Sequence, residues 1–190
     1  MKRVFIIHGW EGFPEEGWFP WLKKDLESKG FEVVVPQMPD PIEPKIEQWV
    51  SFLSRLVGDV DEDTYFVCHS IGCQAVIRYL ETLDNKKLGG VIFVAGWFAL
   101  TGLETQEDQD MAKPWLETPI DFNKVKSVTN NFVAIFSDND PYVPPNNQNV
   151  FRDKLGCKII VENSKGHFSG PMDGMIELPI VLEELLKMAE

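Results

Sequence analysis

The sequence predicts an α/β fold: a three-layer α/β/α sandwich whose six-stranded, mainly parallel sheet is covered by helices on both faces. Three observations predict it. Short runs such as Val4-Phe5-Ile6-Ile7 and Val91-Ile92-Phe93-Val94 are apolar throughout instead of alternating, as strands buried on both faces are. Amphipathic stretches of helical period lie between these runs, and a parallel pair of strands needs such a crossover. Turn-forming and polar residues follow the apolar runs, so irregular chain gathers at the carboxyl ends of the strands, where open α/β sheets place their ligands.

Each element follows from local pattern. Residues 3–7 are β-branched and aromatic and stop at His8-Gly9, which makes them the first strand. Over 15–29, Trp18, Trp21, Leu22 and Leu26 recur at helical spacing and Gly30 supplies a stop. Residues 31–35 form a second strand ended by Pro36, and Pro39, Pro41 and Pro44 hold 37–44 in a loop. Residues 46–57 present Trp49, Phe52, Leu53 and Leu56 on one helical face. A third strand, 64–68, runs through a turn into a helical stretch over 73–80, and a fourth strand occupies 90–95. Residues 101–119 differ in texture, with Glu104, Glu107, Asp108 and Asp110 crowded ahead of Trp115-Leu116. This reads as an exposed, partly helical excursion whose acidic run is either a solvated face or the mouth of a site that excludes anions. A short helix over 122–128, a strand over 131–136, a helix over 146–155 and a sixth strand over 158–161 follow. A closing helix over 175–188 is entered through Pro179.

A chain of 190 residues with 44% hydrophobic content suits a single domain spanning residues 1–190. No apolar run approaches the roughly 18 residues of a membrane span. The first apolar run ends at His8-Gly9, too short for a signal-peptide core, so no export is expected. Cys68, Cys73 and Cys157 form no CxxC or disulfide-like framework, which points to a reducing, cytoplasmic home. A formal charge of −12 with scattered lysines and arginines argues against nucleic acid as a partner. Neither H-E-x-x-H nor paired-cysteine spacing occurs, so neither a metal nor another cofactor is expected.

The chemistry centres on Cys68-His69-Ser70-Ile71-Gly72, a G-x-S-x-G pattern with Cys68 in place of the first glycine, set between a strand and a helix. A serine hydroxyl is a weak nucleophile unless it is exposed, paired with a base and faced by donors for the oxyanion. A strand-to-helix turn lifts the hydroxyl above the sheet and leaves the next N–H free. The plainer alternative is a serine that caps a helix. Other features decide between the two: His8-Gly9-Trp10, Ser70, Asp138 with Asp140, and His167 each lie just past a predicted strand's carboxyl end. They occur in the order Ser, Asp, His. Ser70 is then the nucleophile, His167 the base and one of the two aspartates its partner, with the N–H groups of Ile71 and Trp10 receiving the oxyanion. His8, Gly9, Trp97, Phe98 and Trp115 are expected around an acyl pocket. His69 is expected to be structural, and Cys68 to point into packed structure.

The motifs Ile6-Ile7-His8-Gly9, Trp18-Phe19-Pro20-Trp21-Leu22, Cys68-His69-Ser70-Ile71-Gly72, Asp138-Asn139-Asp140-Pro141-Tyr142-Val143-Pro144 and Gly166-His167-Phe168 carry a resemblance. With them, nearly the whole chain resembles the small α/β-hydrolases of the YdeN and retinoblastoma-binding-protein-9 type. The resemblance implies a minimal α/β-hydrolase core without a large lid domain. It also implies that Asp140, which stands before the x-x-Val-Pro turn, is the acid and Asp138 a turn residue. The activity it implies is cofactor-free cleavage of a small carboxylic ester, thioester or amide through an acyl-enzyme. The competing expectation is a hydrolase-like fold that serves as a protein-interaction module, against which the complete Ser, Asp and His set argues.

Overall fold

A computed structural model describes all residues, 1–190. Its sheet contains β1 (Arg3–Ile7), β2 (Glu32–Val34), β3 (Thr64–His69), β4 (Gly90–Val94), β5 (Phe132–Ser137) and β6 (Lys158–Glu162), in the spatial order β2-β1-β3-β4-β5-β6. Every pairing is parallel, so the sheet is parallel throughout and not merely in the main. The chain leaves β1 to place β2 on one side and then builds outward on the other, so the winding reverses between β1 and β3. The register pairs Ile7 with Cys68, which leaves the ends of these two strands level. Residues 8–10 and 69–71 therefore emerge side by side at the switch point, where an open α/β sheet offers a crevice.

Helices α1 (Phe19–Ser28), α2 (Ile46–Val57), α3 (Ile71–Glu81), α4 (Gln106–Glu117), α5 (Phe122–Val128), α6 (Asn147–Val150), α7 (Gly170–Asp173) and α8 (Pro179–Met188) complete the chain. Residues Phe151–Leu155 continue α6 as a π-helical turn. Helices α1 and α8 pack together on one face, while α2, α3 and α5 form the other layer with the π-helical turn. Helix α1 starts later than its periodicity suggests, because Gly17 has φ +52° and Pro20 sits in the first helical turn. Helix α8 begins at Pro179 and not at 175, since Gly174 ends α7 in the left-handed conformation. The short α7 went unpredicted, although Ser169-Gly170-Pro171 carries a start signal: the Ser169 side chain accepts the Met172 N–H.

Helix α3 is buried from Ile71 to Leu80 and forms the backbone of its layer. The burial includes Arg78, whose guanidinium donates to the carbonyls of Trp115 and Thr118 at 2.9 Å each. A cation there complements the negative end of α4 and satisfies carbonyls the helix leaves unpaired. Trp115 donates its indole N–H to the Pro44 carbonyl at 3.0 Å. The far end of α4 is thus fastened to the core, and its near end reaches the rim where the strands finish. On the other side of α3, Phe151 packs against Phe93, Phe98 and Phe136 with ring centroids 4.8–5.6 Å apart. Burying such a side chain is worth about 1.5–3 kcal/mol.

Candidate active site

Strand β3 ends at His69, and Ser70 makes the turn into α3 with φ +52° and ψ −125°. The turn is held on both sides: the Ser70 N–H donates to Val94 O, and the Cys73 N–H donates to Ser70 O, each at 3.0 Å. Glycine is required at 72, because a Cβ there would stand 2.5 Å from the His8 carbonyl oxygen and 2.8 Å from that of Ile7. Its absence lets α3 begin directly against the end of β1. Cys68, where the elbow pattern has glycine, is wholly buried and lies 3.5 Å from the Ile92 carbonyl, and burial pushes its thiol up. It is a packing residue with no path to the rim.

The hydroxyl of Ser70 lies 2.9 Å from Nε2 of His167, and Nδ1 of His167 lies 2.9 Å from Oδ2 of Asp140. A carboxylate accepts only, so Nδ1 carries the ring proton and Nε2 presents its lone pair to the serine O–H. The Asp140 side chain is only 2% exposed, and its Oδ1 accepts the N–H groups of Tyr142 and Val143 at 2.9 and 3.1 Å. These bonds fix the carboxylate before it meets the histidine. Asp138 turns elsewhere and accepts the Ser164 N–H at 2.7 Å. The three residues come from the ends of β3, β5 and β6, so one rim of the sheet assembles them.

Ser70, His167, Ile71 and Trp10 face a cavity of about 550 Å³. None of the backbone hydrogen bonds in turns, loops and caps engages the N–H of Ile71 or Trp10. Trp10 is itself fixed by its indole N–H, which donates to the Ile42 carbonyl at 2.9 Å. Of the residues named for an acyl pocket, Gly9 and Trp97 line this cavity; His8, Phe98 and Trp115 do not. His8 is wholly buried behind the loop: Nδ1 donates to the Gly9 carbonyl at 2.8 Å and Nε2 accepts the Met38 N–H at 2.9 Å. That pairing leaves the ring neutral, and burial lowers its pKa. Phe98 turns its ring toward Phe122 and Phe151, and Trp115 is held under α4 by its bond to Pro44. Neither proximity to a strand end nor, for Trp115, a place in the acidic excursion reveals which way these side chains face.

The cavity's charge was only half foreseen. Glu11, Glu16, Glu104 and Asp108 line it, and no lysine or arginine does. Of the acidic run, Glu104 and Asp108 face this cavity, while Glu107 and Asp110 face a separate groove beside α2. The run therefore forms part of the mouth. Burial raises the pKa of Glu16, with a backbone bond to Phe13 and the proximity of His167 working in the opposite direction. Glu11 and Glu16 lie in the loop after β1, and their only sequence signal is that position.

The chain is similar to known hydrolases. YdeN from Bacillus subtilis (strain 168) is 34% identical over 185 residues, covering 97% of this chain and 94% of its own. The serine hydrolase RBBP9 of Rattus norvegicus is 29% identical over 153 residues, 80% of this chain and 78% of its own. The crystal structure of the YdeN gene product superposes with a TM-score of 0.89, at 31% identity over 99% of this chain and 98% of that one. The model of one family, described as serine hydrolase, matches residues 4–186, and with that span the chain belongs to the serine hydrolase family.

Proposed function

We propose that this hydrolase cleaves a small carboxylic ester, thioester or amide through an acyl-enzyme on Ser70, with His167 as general base and acid and Asp140 as its partner. The observation that carries the reading is the relay from Asp140 through His167 to Ser70, two contacts of 2.9 Å, opening on the cavity. In the proposed reaction Nε2 of His167 takes the hydroxyl proton as Oγ attacks the acyl carbon. The carbonyl π electrons move to oxygen, and the N–H groups of Ile71 and Trp10 receive that charge. Losing one such donor costs about 3 kcal/mol in the barrier. Collapse of the tetrahedral species expels the leaving group, which takes the proton from His167. Water then repeats the sequence and releases the acid. Asp140 keeps the proton on Nδ1 throughout and stabilises the imidazolium.

The cavity narrows the choice among substrates. Four carboxylate side chains and no lysine or arginine make it hostile to anionic groups. Neutral and cationic acyl compounds are therefore the expected substrates, and thioesters of heavily phosphorylated carriers are disfavoured. The test is a fluorophosphonate probe, which should label Ser70 and leave Ser70→Ala unlabelled, with turnover of short acyl esters abolished. A panel of esters, thioesters and amides of differing charge should rank anionic members last. A folded sample that neither labels nor turns over any member would overturn the enzyme reading and favour an interaction module.

A further inference from the structure

The loop that carries His167 is fastened by side chains, not by sheet or helix bonds. Toward β5, the N–H groups of Ser164, Lys165 and Gly166 donate to Asp138 Oδ1, Ser137 Oγ and Asn139 Oδ1 at 2.7, 3.0 and 2.8 Å. These bonds tie the loop to the strand that supplies Asp140. One contact ties it to the strand that supplies the nucleophile: Nε2 of His69 lies 2.7 Å from the carbonyl oxygen of His167. On its other side the His167 N–H donates to Asp173 Oδ2 at 2.9 Å.

The chemistry of that contact is determined by its acceptor. A carbonyl only accepts, so Nε2 of His69 must carry a proton. The ring is 4% exposed, with Trp18 and Phe19 standing edge-on to it at 6.4 and 6.3 Å. Nδ1 packs so close to Gly9 that a Cβ on that residue would approach to 3.2 Å. The ring borders the cavity at its remaining edge. It also sits 5.0 Å from the His167 ring, where a second positive charge would oppose the imidazolium that catalysis needs. Burial first and His167 next hold its pKa at about 3, so it stays an uncharged donor.

We infer that His69 is a positioning residue: through its Nε2–H it binds the carbonyl of His167 to the residue next to Ser70 and so sets the distance between base and nucleophile. The inference rests on the reading of Ser70 and His167 as the reacting pair. It differs from general core packing because the link runs through one donor at the correct reach: this loop is also held to β5, to Asp173 and, through the Phe168 carbonyl, to the Trp18 indole at 3.0 Å, but the His69 bond runs to the residue beside the nucleophile. Displacing a catalytic group by about 1 Å can cost 10²-fold in rate.

The test compares His69→Phe, which keeps a flat ring and removes the donor, with His69→Gln, whose amide N–H reaches a similar point. Turnover is counted per site titrated to completion with fluorophosphonate. His69→Phe should lower kcat by about 10- to 100-fold with KM little changed, and His69→Gln should recover most of it. The proton on Nδ1 of His167, observed by ¹⁵N-resolved NMR, should broaden or vanish in His69→Phe and persist in His69→Gln. Wild-type kcat and an intact Nδ1 signal in His69→Phe would overturn the inference. Should His69→Phe fail to fold, the unmodified protein decides: His69 should show the neutral Nε2–H form from about pH 5 to about pH 8, and an imidazolium or an Nδ1–H form overturns it. If the wild type neither labels nor turns over, the hydrolytic mechanism fails, while the NMR signals still decide whether His69 holds His167.

Discussion

Replacing Ser70 with glycine is expected to give a protein that melts higher than Ser70→Ala, although neither variant turns over substrate. Ser70 sits at φ +52° and ψ −125°, a region that costs a residue bearing a Cβ about 1–3 kcal/mol. The turn has no freedom to relax, because its N–H and C=O are both bonded at 3.0 Å. Both substitutions lose the 2.9 Å contact with His167, so that loss cancels in the comparison. Glycine relieves the strain and alanine does not. Against this, glycine adds unfolded-chain entropy of about 0.4–1 kcal/mol, leaving a net advantage of about 1 kcal/mol at the centre of these ranges. In a domain of this size that is about 2–4 °C in melting temperature. Differential scanning calorimetry of the two variants reads it directly. A Ser70→Gly variant that melts at or below Ser70→Ala would refute the claim that the elbow is strained.

Three further outcomes follow from the geometry. Asp140→Asn should lower kcat by about 10⁴-fold and Asp138→Asn far less, in steady-state assays, because only Asp140 touches His167. Gly72→Ala should destabilise the fold by about 1–3 kcal/mol and depress turnover by pushing the end of β1 away, as urea denaturation and kinetics would record. Stability should fall on acidification, because His69 is held at about 3 in the folded state and titrates near 6.5 when unfolded. The unfolded chain binds a proton that the native one refuses, so the stabilisation is complete above about pH 6.5 and fades as the pH drops toward 3. By about pH 5 the loss from His69 alone is on the order of 2 kcal/mol. Urea titrations at both pH values measure it, and His69→Gln should remove that part of the dependence.

Much of this architecture was legible in the residues because a buried parallel strand is a contiguous apolar word. Val4 to Ile7 and Val91 to Val94 identify themselves without tertiary information, and the polar residues that follow them must lie on one rim. What patterns do not encode is the direction of a side chain in irregular backbone. His8 and Gly9 are neighbours and both are buried, yet only Gly9 reaches the cavity wall. Asp138 and Asp140 are the same residue type on one turn, and local spacing could not separate them; the resemblance to known hydrolases did. The division of the acidic run between two cavities follows from α4 itself, whose helical geometry sends Asp108 one way and Glu107 with Asp110 the other. That division requires knowing where the helix starts, at a boundary set by the Thr105 cap.

The three thiols have a practical corollary. Cys68, Cys73 and Cys157 are all buried, so the folded chain offers no cysteine side chain to a maleimide at its surface. A Glu104→Cys variant would take a fluorophore at the cavity mouth and nowhere else, which makes occupancy of the site observable without background labelling. The native thiols serve a complementary purpose. A disulfide reagent reaches them only when the chain opens, so its slow consumption by unmodified protein counts excursions from the folded state under conditions where no denaturant is present.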